Sequence, residues 1–298
     1  MAQLHGPFVG REAIAAGLLG KHQLRVGYRA VHPGVYVSAS AQLTVADRAK
    51  AAWLWSGRRG VVMGSTAAAL HGARWVDQAR PVELVSANVR PPNGVQTRKL
   101  SLRPDELMAL RGLPVTTPAR TAFDIGRQKP TGPTVAAMDA LLRATGIRPE
   151  EVSMIAARHP GARGLRQVES VLDLVDSGAQ SPRETWLRLL LIGDGLPRPT
   201  TQIPVPVDDR TTYHLDLGWE QVMIAVEYDG EQHRTDRWQY TKDIRRSEEL
   251  ANLGWLIIRV VAGDRSADIL RRIHQAWRKR GIESARGASS LRPERVSS

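Results

Sequence analysis

Residues 222–233 read V-M-I-A-V-E-Y-D-G-E-Q-H, and this run decides the class of the protein. Apolar residues alternate with acids toward its end, which is the period of an extended strand and not of a helix. Alternation puts Val222, Ile224, Val226 and Tyr228 on one face and Ala225, Glu227 and Asp229 on the other. Two carboxylates thus share a face near the strand's end, with a turn expected at Gly230 and His233 just beyond it. Working outward, H-L-D-L-G-W at 214–219 is the partner strand of a hairpin, and its Asp216 comes near the same sheet end. Further upstream, S-P-R-E-T-W-L-R-L-L-L at 181–191 is an amphipathic helix joined to the hairpin by a Pro-rich link. Ser181 caps it, Pro182 takes its first position, and Glu184, three residues after the cap, completes a capping box. Carboxylates gathered in this way repel one another unless a cation lies among them.

Downstream, Thr235 to Leu253 reads as a helix dense in charge, carrying Lys242, Arg245 and Arg246, and G-W-L-I-I-R-V-V at 254–261 as a buried strand. A last helix over Ser266 to Arg280 places Ile269, Leu270, Ile273 and Trp277 at helical spacing, a core-packing pattern. Residues 282–298, rich in Ser, Arg and Pro, read as a disordered basic tail.

At 298 residues the chain is long enough for two or three domains. Lysine and arginine number 42 against 30 acids, a net charge of +12 that favours a polyanionic partner, nucleic acid first. Cysteine is absent, which excludes disulfides, zinc ribbons and thiol nucleophiles. With no long apolar span and no cleavable signal pattern, a cytoplasmic protein without a membrane partner is expected.

The first half is read more coarsely. Residues 7–19 form a short helix, Lys21 to Arg29 a basic connection, within which Gln23 to Tyr28 is too short for a full recognition helix, and R-A-V-H-P-G-V-Y-V at 29–37 an extended hairpin. Helices follow over Thr44 to Trp55 and Ser65 to His71, the second capped by Ser65 or Thr66. Extended pieces at Pro81 to Ser86 and Val95 to Leu102 lead to G-L-P-V-T-T-P-A-R-T-A-F-D-I-G at 112–126, a strand entering a helix capped by Thr117, with Arg120 and Asp124 a surface pair at i and i+4. Two further helices are placed at Val135 to Ala144 and Leu165 to Val175. The expected division is a winged-helix-like region at 1–78, an α+β region at 79–175, a domain carrying the acids at 176–281 and the tail, for a mixed α/β class overall.

Two resemblances attach to these motifs. Gly34-Val35-Tyr36-Val37 and the Pro114 to Thr121 segment resemble AbiEi-type antitoxins in the chain's N-terminal half. The ordered set Ser181-Pro182, Glu184, Asp216, Glu227, Asp229, Gly230, His233, Asp243, Arg246 and Gly254-Trp255 resembles the Vsr-like branch of the PD-(D/E)XK nuclease superfamily, in an actinobacterial family that joins such a domain to an AbiEi-like front half. That resemblance implies a restriction-endonuclease-like fold, a mixed sheet flanked by helices. It departs from the superfamily at Asp229, which stands where a lysine is usual.

The chemistry of the acids is argued from their type. Phosphodiester hydrolysis needs an activated water and charge neutralisation at phosphate, and hard carboxylate oxygens suit Mg²⁺ or Mn²⁺. Asp216, Glu227 and Asp229 are the candidate metal ligands, with Glu184 holding a water or a second ion and His233 carrying the proton. Lys242, Arg245 and Arg246 are candidates for flanking phosphates of double-stranded DNA. The competing readings are a metal-dependent endonuclease or nickase and a non-catalytic, antitoxin-like DNA-binding regulator that keeps a nuclease fold; a protein partner also fits the second. The bland alternative is two acids solvated at a strand end and a third that only caps a helix.

Overall fold

The computed structural model describes residues 4–88, 90–229 and 237–282, with only the backbone of 237–241. Its contacts divide the chain into two compact units, Met1–Ser177 and Gly178–Ser298. The class is mixed α/β, with three separate sheets.

The first unit opens with β1 (Phe8–Val9), α1 (Gly10–Ala15), α2 (Lys21–Gly27), β2 (Tyr28–His32) and β3 (Val35–Ser38), the strands ordered β1-β3-β2. The expected helix over 7–19 is thus a strand followed by a shorter helix, and the expected basic connection is itself helical. α2 buries no residue, so it has no apolar stripe by which its sequence betrays it.

Next come α3 (Val45–Trp55), β4 (Val61–Val62), α4 (Gly64–Leu70), β5 (Val82–Val85), β6 (Val95–Arg98), β7 (Leu107–Leu110) and β8 (Leu113–Thr116). β4 to β8 form a five-stranded sheet ordered β6-β5-β4-β8-β7. Thr44 caps α3 through its side chain, accepting from the Asp47 N–H at 3.1 Å. α4 corrects the expected Ser65 or Thr66 cap. Its helix starts at Gly64, and the Glu83 carboxylate of β5 accepts from the Ser65 N–H at 2.6 Å and the Ser65 hydroxyl at 2.8 Å. Gly64 sits at φ 58°, where a Cβ would run into that carboxylate.

Four helices complete the unit: α5 (Pro118–Gly126), α6 (Thr131–Thr145), α7 (Pro149–Arg158) and α8 (Leu165–Leu172). α7 has no counterpart in the sequence reading. Thr117 caps α5, but Arg120 and Asp124 are not the surface pair that their spacing predicts. Both side chains are buried, because Arg120 also pairs with the buried Glu106. Asp124 takes a second bond from Arg127 at 2.6 Å, and His159 meets Glu106 at 2.6 Å.

The second unit runs α9 (Pro182–Gly193), β9 (Thr200–Pro206), β10 (Thr212–Trp219), β11 (Ile224–Asp229), α10 (Arg237–Asn252), β12 (Leu256–Val261) and α11 (Ser266–Lys279). The Pro-rich link thus contains a strand, β9, whose Pro204 and Pro206 keep it from reading as one. The sheet order is β12-β11-β10-β9, with β9, β10 and β11 antiparallel and β12 parallel to β11.

Both faces of this sheet are covered, and the alternation along β11 sorts them. Ile224 and Val226 join Leu187 and Leu191 of α9 and Ile269, Ile273 and Trp277 of α11 in one core cluster. Ala225 joins Ile203, Leu215, Leu250 of α10 and Trp255 in the other. Trp219 and Trp277 meet edge to face at 5.2 Å. Val222 lies in a 3₁₀ turn before β11 and still packs on the first cluster.

Candidate active site

Asp216 is positioned by an irregularity in the sheet. The β10–β11 ladder pairs Trp219 with Ile224, Gly218 with Ala225 and Leu217 with Val226, and ends there. One step further the strands separate, and Asp216 Oδ2 accepts from the Tyr228 N–H at 3.1 Å, taking up a donor the ladder leaves free. On the other side of β10, the register pairs Leu215 with Ile203 and Leu217 with Thr201 and skips the position between, where β9 has Gln202 at φ 51°. Leu215 and Leu217, which an ideal strand would place on one face, fall in different core clusters, so β10 turns about its axis at Asp216.

Glu227 is buried on the same strand end, on the face toward α10. Arg246 of α10 holds it with both arms of the guanidinium, Nη2 to Oε1 at 2.5 Å and Nη1 to Oε2 at 3.1 Å. Nη2 also donates to the His214 carbonyl at 3.0 Å, and the guanidinium carbon lies 5.5 Å from the centre of the Tyr213 ring. Arg246 was expected at a phosphate; here it serves a carboxylate.

Glu184 does cap its helix. It accepts from the Gln180 N–H at 2.8 Å and the Ser181 hydroxyl at 2.9 Å, and Ser181 Oγ in turn accepts from the Glu184 N–H at 3.2 Å. The backbone N–H that Glu184 reaches back to is therefore that of Gln180, while the cap residue Ser181 meets it through its hydroxyl. Capping does not remove Glu184 from the site, for its charge acts on Asp216. Burial first, then the charge of Glu184 and more weakly that of Glu227, push the Asp216 carboxyl up to about 7, against the opposing pull of the Tyr228 N–H and Arg246.

Asp216, Glu227 and Asp229 line one cleft of about 170 Å³ with Tyr228, Asp243, Arg246 and Arg259. Asp229 stands exposed at the end of β11. Of the phosphate candidates, Lys242 is exposed, and Arg245 is 77% exposed with Nε on Glu249 at 2.8 Å. His233 lies outside the described residues. Arg259 escaped the sequence reading of the site, and Asp243 entered it only through the resemblance, with no role assigned. Arg259 stands beside Glu227 through the parallel register of β12 on β11, which no local pattern announces. Asp243 sits three residues before Arg246, one helical turn away, a spacing that was available as a signal.

The cleft therefore gathers four carboxylates and two guanidiniums, in a chain whose net charge is +12. Its hard oxygen donors and its surplus of negative charge fit Mg²⁺ or Mn²⁺. Among the described residues, however, no three acidic or histidine side chains are grouped as a finished metal site, and Glu227 already has a cation in Arg246.

Comparison with known proteins gives a family match within the first unit and relatives aligned over more than that unit's length. Residues 60–174 match the family model of the AbiEi antitoxin C-terminal domain. The match takes in the Pro114 to Thr121 segment but not Gly34 to Val37, so the likeness is to that family's C-terminal domain, in a different place from the N-terminal one expected. Two proteins from strains of Mycobacterium tuberculosis, both described as uncharacterized, are 28% identical over 234 residues, which is 78% of this chain and 84% of theirs. No solved structure matches significantly. Among the described residues no helix is long and apolar enough to cross a membrane.

Proposed function

We propose that the second unit is a metal-dependent endonuclease or nickase of restriction-endonuclease-like, Vsr-like fold, acting on double-stranded DNA in the cytoplasm. The observation that carries the reading is Asp216. Its carboxyl opens on an acid-rich cleft and is driven up to about 7 by burial and by Glu184 and Glu227, the condition of a carboxylate short of a cation. Asp216 and Glu227 would hold Mg²⁺ or Mn²⁺, with Asp229 at the cleft's open end as a further ligand. A divalent ion held there supplies charge to the scissile phosphate and lowers the pKa of a water. Glu184 orients the site electrostatically from the helix cap, and His233 carries the proton. Lys242 and Arg245, exposed on α10, supply phosphate contacts that carry no sequence information.

A second reading is favoured by the match to an antitoxin domain: a DNA-binding regulator without catalysis, partnered by a protein. The exposed Lys21, His22, Gln23 and Arg25 of α2 support nucleic-acid contact in that case.

The test is nicking of supercoiled plasmid by purified full-length protein with Mn²⁺. Asp216→Asn should abolish nicking and preserve duplex binding, which should weaken steeply with salt. His233→Ala should lower nicking by ~10² to 10⁴-fold. A wild type that binds duplex but never nicks leaves the regulator standing.

A further inference from the structure

We infer that Arg246 is a built-in counter-cation, which holds Glu227 when no metal is bound and which a divalent ion must displace to complete the site. The inference deepens the metal-dependent reading above and rests on it.

Two observations carry it. Arg246 grips Glu227 with both arms, in the geometry that makes guanidinium–carboxylate pairs strong. Both oxygens of the carboxylate are thereby engaged by N–H donors, and an ion approaching Glu227 meets a positive charge already in place. In addition, Arg246 has supports that do not depend on Glu227. Its Nη2 bonds the His214 carbonyl, its guanidinium faces the Tyr213 ring, and its side chain is a quarter exposed.

Releasing Glu227 thus does not strand the guanidinium in an apolar interior, and the residue can part from its acid without unfolding its surroundings. Tyr213 is itself tied down, its hydroxyl donating to Glu249 at 2.6 Å. The released group therefore stays at the mouth of the cleft.

A residue that merely supports a ligand and one that competes with the metal for it make opposite predictions for binding of the ion. The measurement is isothermal titration of Mn²⁺ into the full chain at pH 7.5, for wild type, Arg246→Met, Arg246→Lys and Glu227→Gln. With the competitor removed, Arg246→Met should bind Mn²⁺ ~10- to 100-fold more tightly than wild type, the range set by a charge-assisted pair that the ion no longer has to break. Arg246→Lys, which keeps a charge and loses the fork, should fall between, and it carries the test if Arg246→Met does not fold. Glu227→Gln should bind more weakly than wild type.

Equal or weaker binding by both arginine variants, with Glu227→Gln impaired, overturns the inference and leaves the metal reading intact. No binding by any of the four proteins removes both.

Discussion

Replacing Asp216 by asparagine should stabilise the second unit more at pH 8 than at pH 5. Asparagine keeps an oxygen for the Tyr228 N–H and removes the charge that Glu184 and Glu227 oppose. The carboxyl moves from 3.8 in the unfolded chain to about 7 in the folded one, and a shift of roughly 3 units corresponds to at most ~4 kcal/mol. Because Asp216 is only partly buried, water screens the effect and ~2 kcal/mol is the working figure. The sign follows from proton counts. Between about pH 4 and 7 the native state holds a proton that the unfolded state has lost, so wild-type stability falls as pH rises through that window and levels off above it. The advantage of Asp216→Asn should therefore be less than half its full size at pH 5 and complete by pH 8. Urea unfolding at both pH values, followed by amide exchange in β11 and β12, reads it in the right unit. An effect of equal size at pH 5 and 8, or a loss of stability at pH 8, would refute the reasoning.

Three further outcomes concern the cores. Arg120→Met should destabilise the first unit by ~3–5 kcal/mol, since it leaves Glu106 and Asp124 buried without their common partner; urea unfolding checks it, and a cost below ~1 kcal/mol would mean that Arg127 and His159 suffice. Burial draws the Glu106 carboxyl upward, but the bond from His159, the Arg103 N–H and the charges of Arg120 and His159 prevail and hold it low, so the wild type should lose this stabilisation as pH falls through that depressed value. In the second unit, Ile224→Ala should cost ~2–5 kcal/mol, and Ile257→Ala less, because Ile224 is fully buried while Ile257 only flanks its cluster. Equal costs would mean that the sheet's two faces are not packed as described.

Much of the second unit could be read from its residues because its signals are local. Alternation along β11 sorted Ile224 and Val226 from Ala225 and Glu227, and Ser181 with Pro182 marked the start of α9. What escaped depends on partners distant in sequence. Arg120 and Asp124 look like a surface pair until Glu106 is brought to them, and Arg246 looks like a phosphate ligand until α10 lies over Glu227. β9 was hidden by its prolines, and α2 by the lack of any buried face. The acid cluster was legible as a set of residue types, whereas the cation that meets Glu227 was not.

The prolines of β9 also decide how this unit can meet other chains. β9 ends the sheet order, and it pairs with β10 from Thr200 to Pro206. Pro204 and Pro206 are two apart, so their missing N–H groups fall along one side of the strand. Since the other side is occupied by β10, the side without donors is the outward one. A visiting strand would find carbonyls there without the matching amides, and could not continue the ladder. On this flank the unit is closed to strand addition, whether by a second copy or by an extended peptide, and a partner that reaches it there must be recognised through side chains alone.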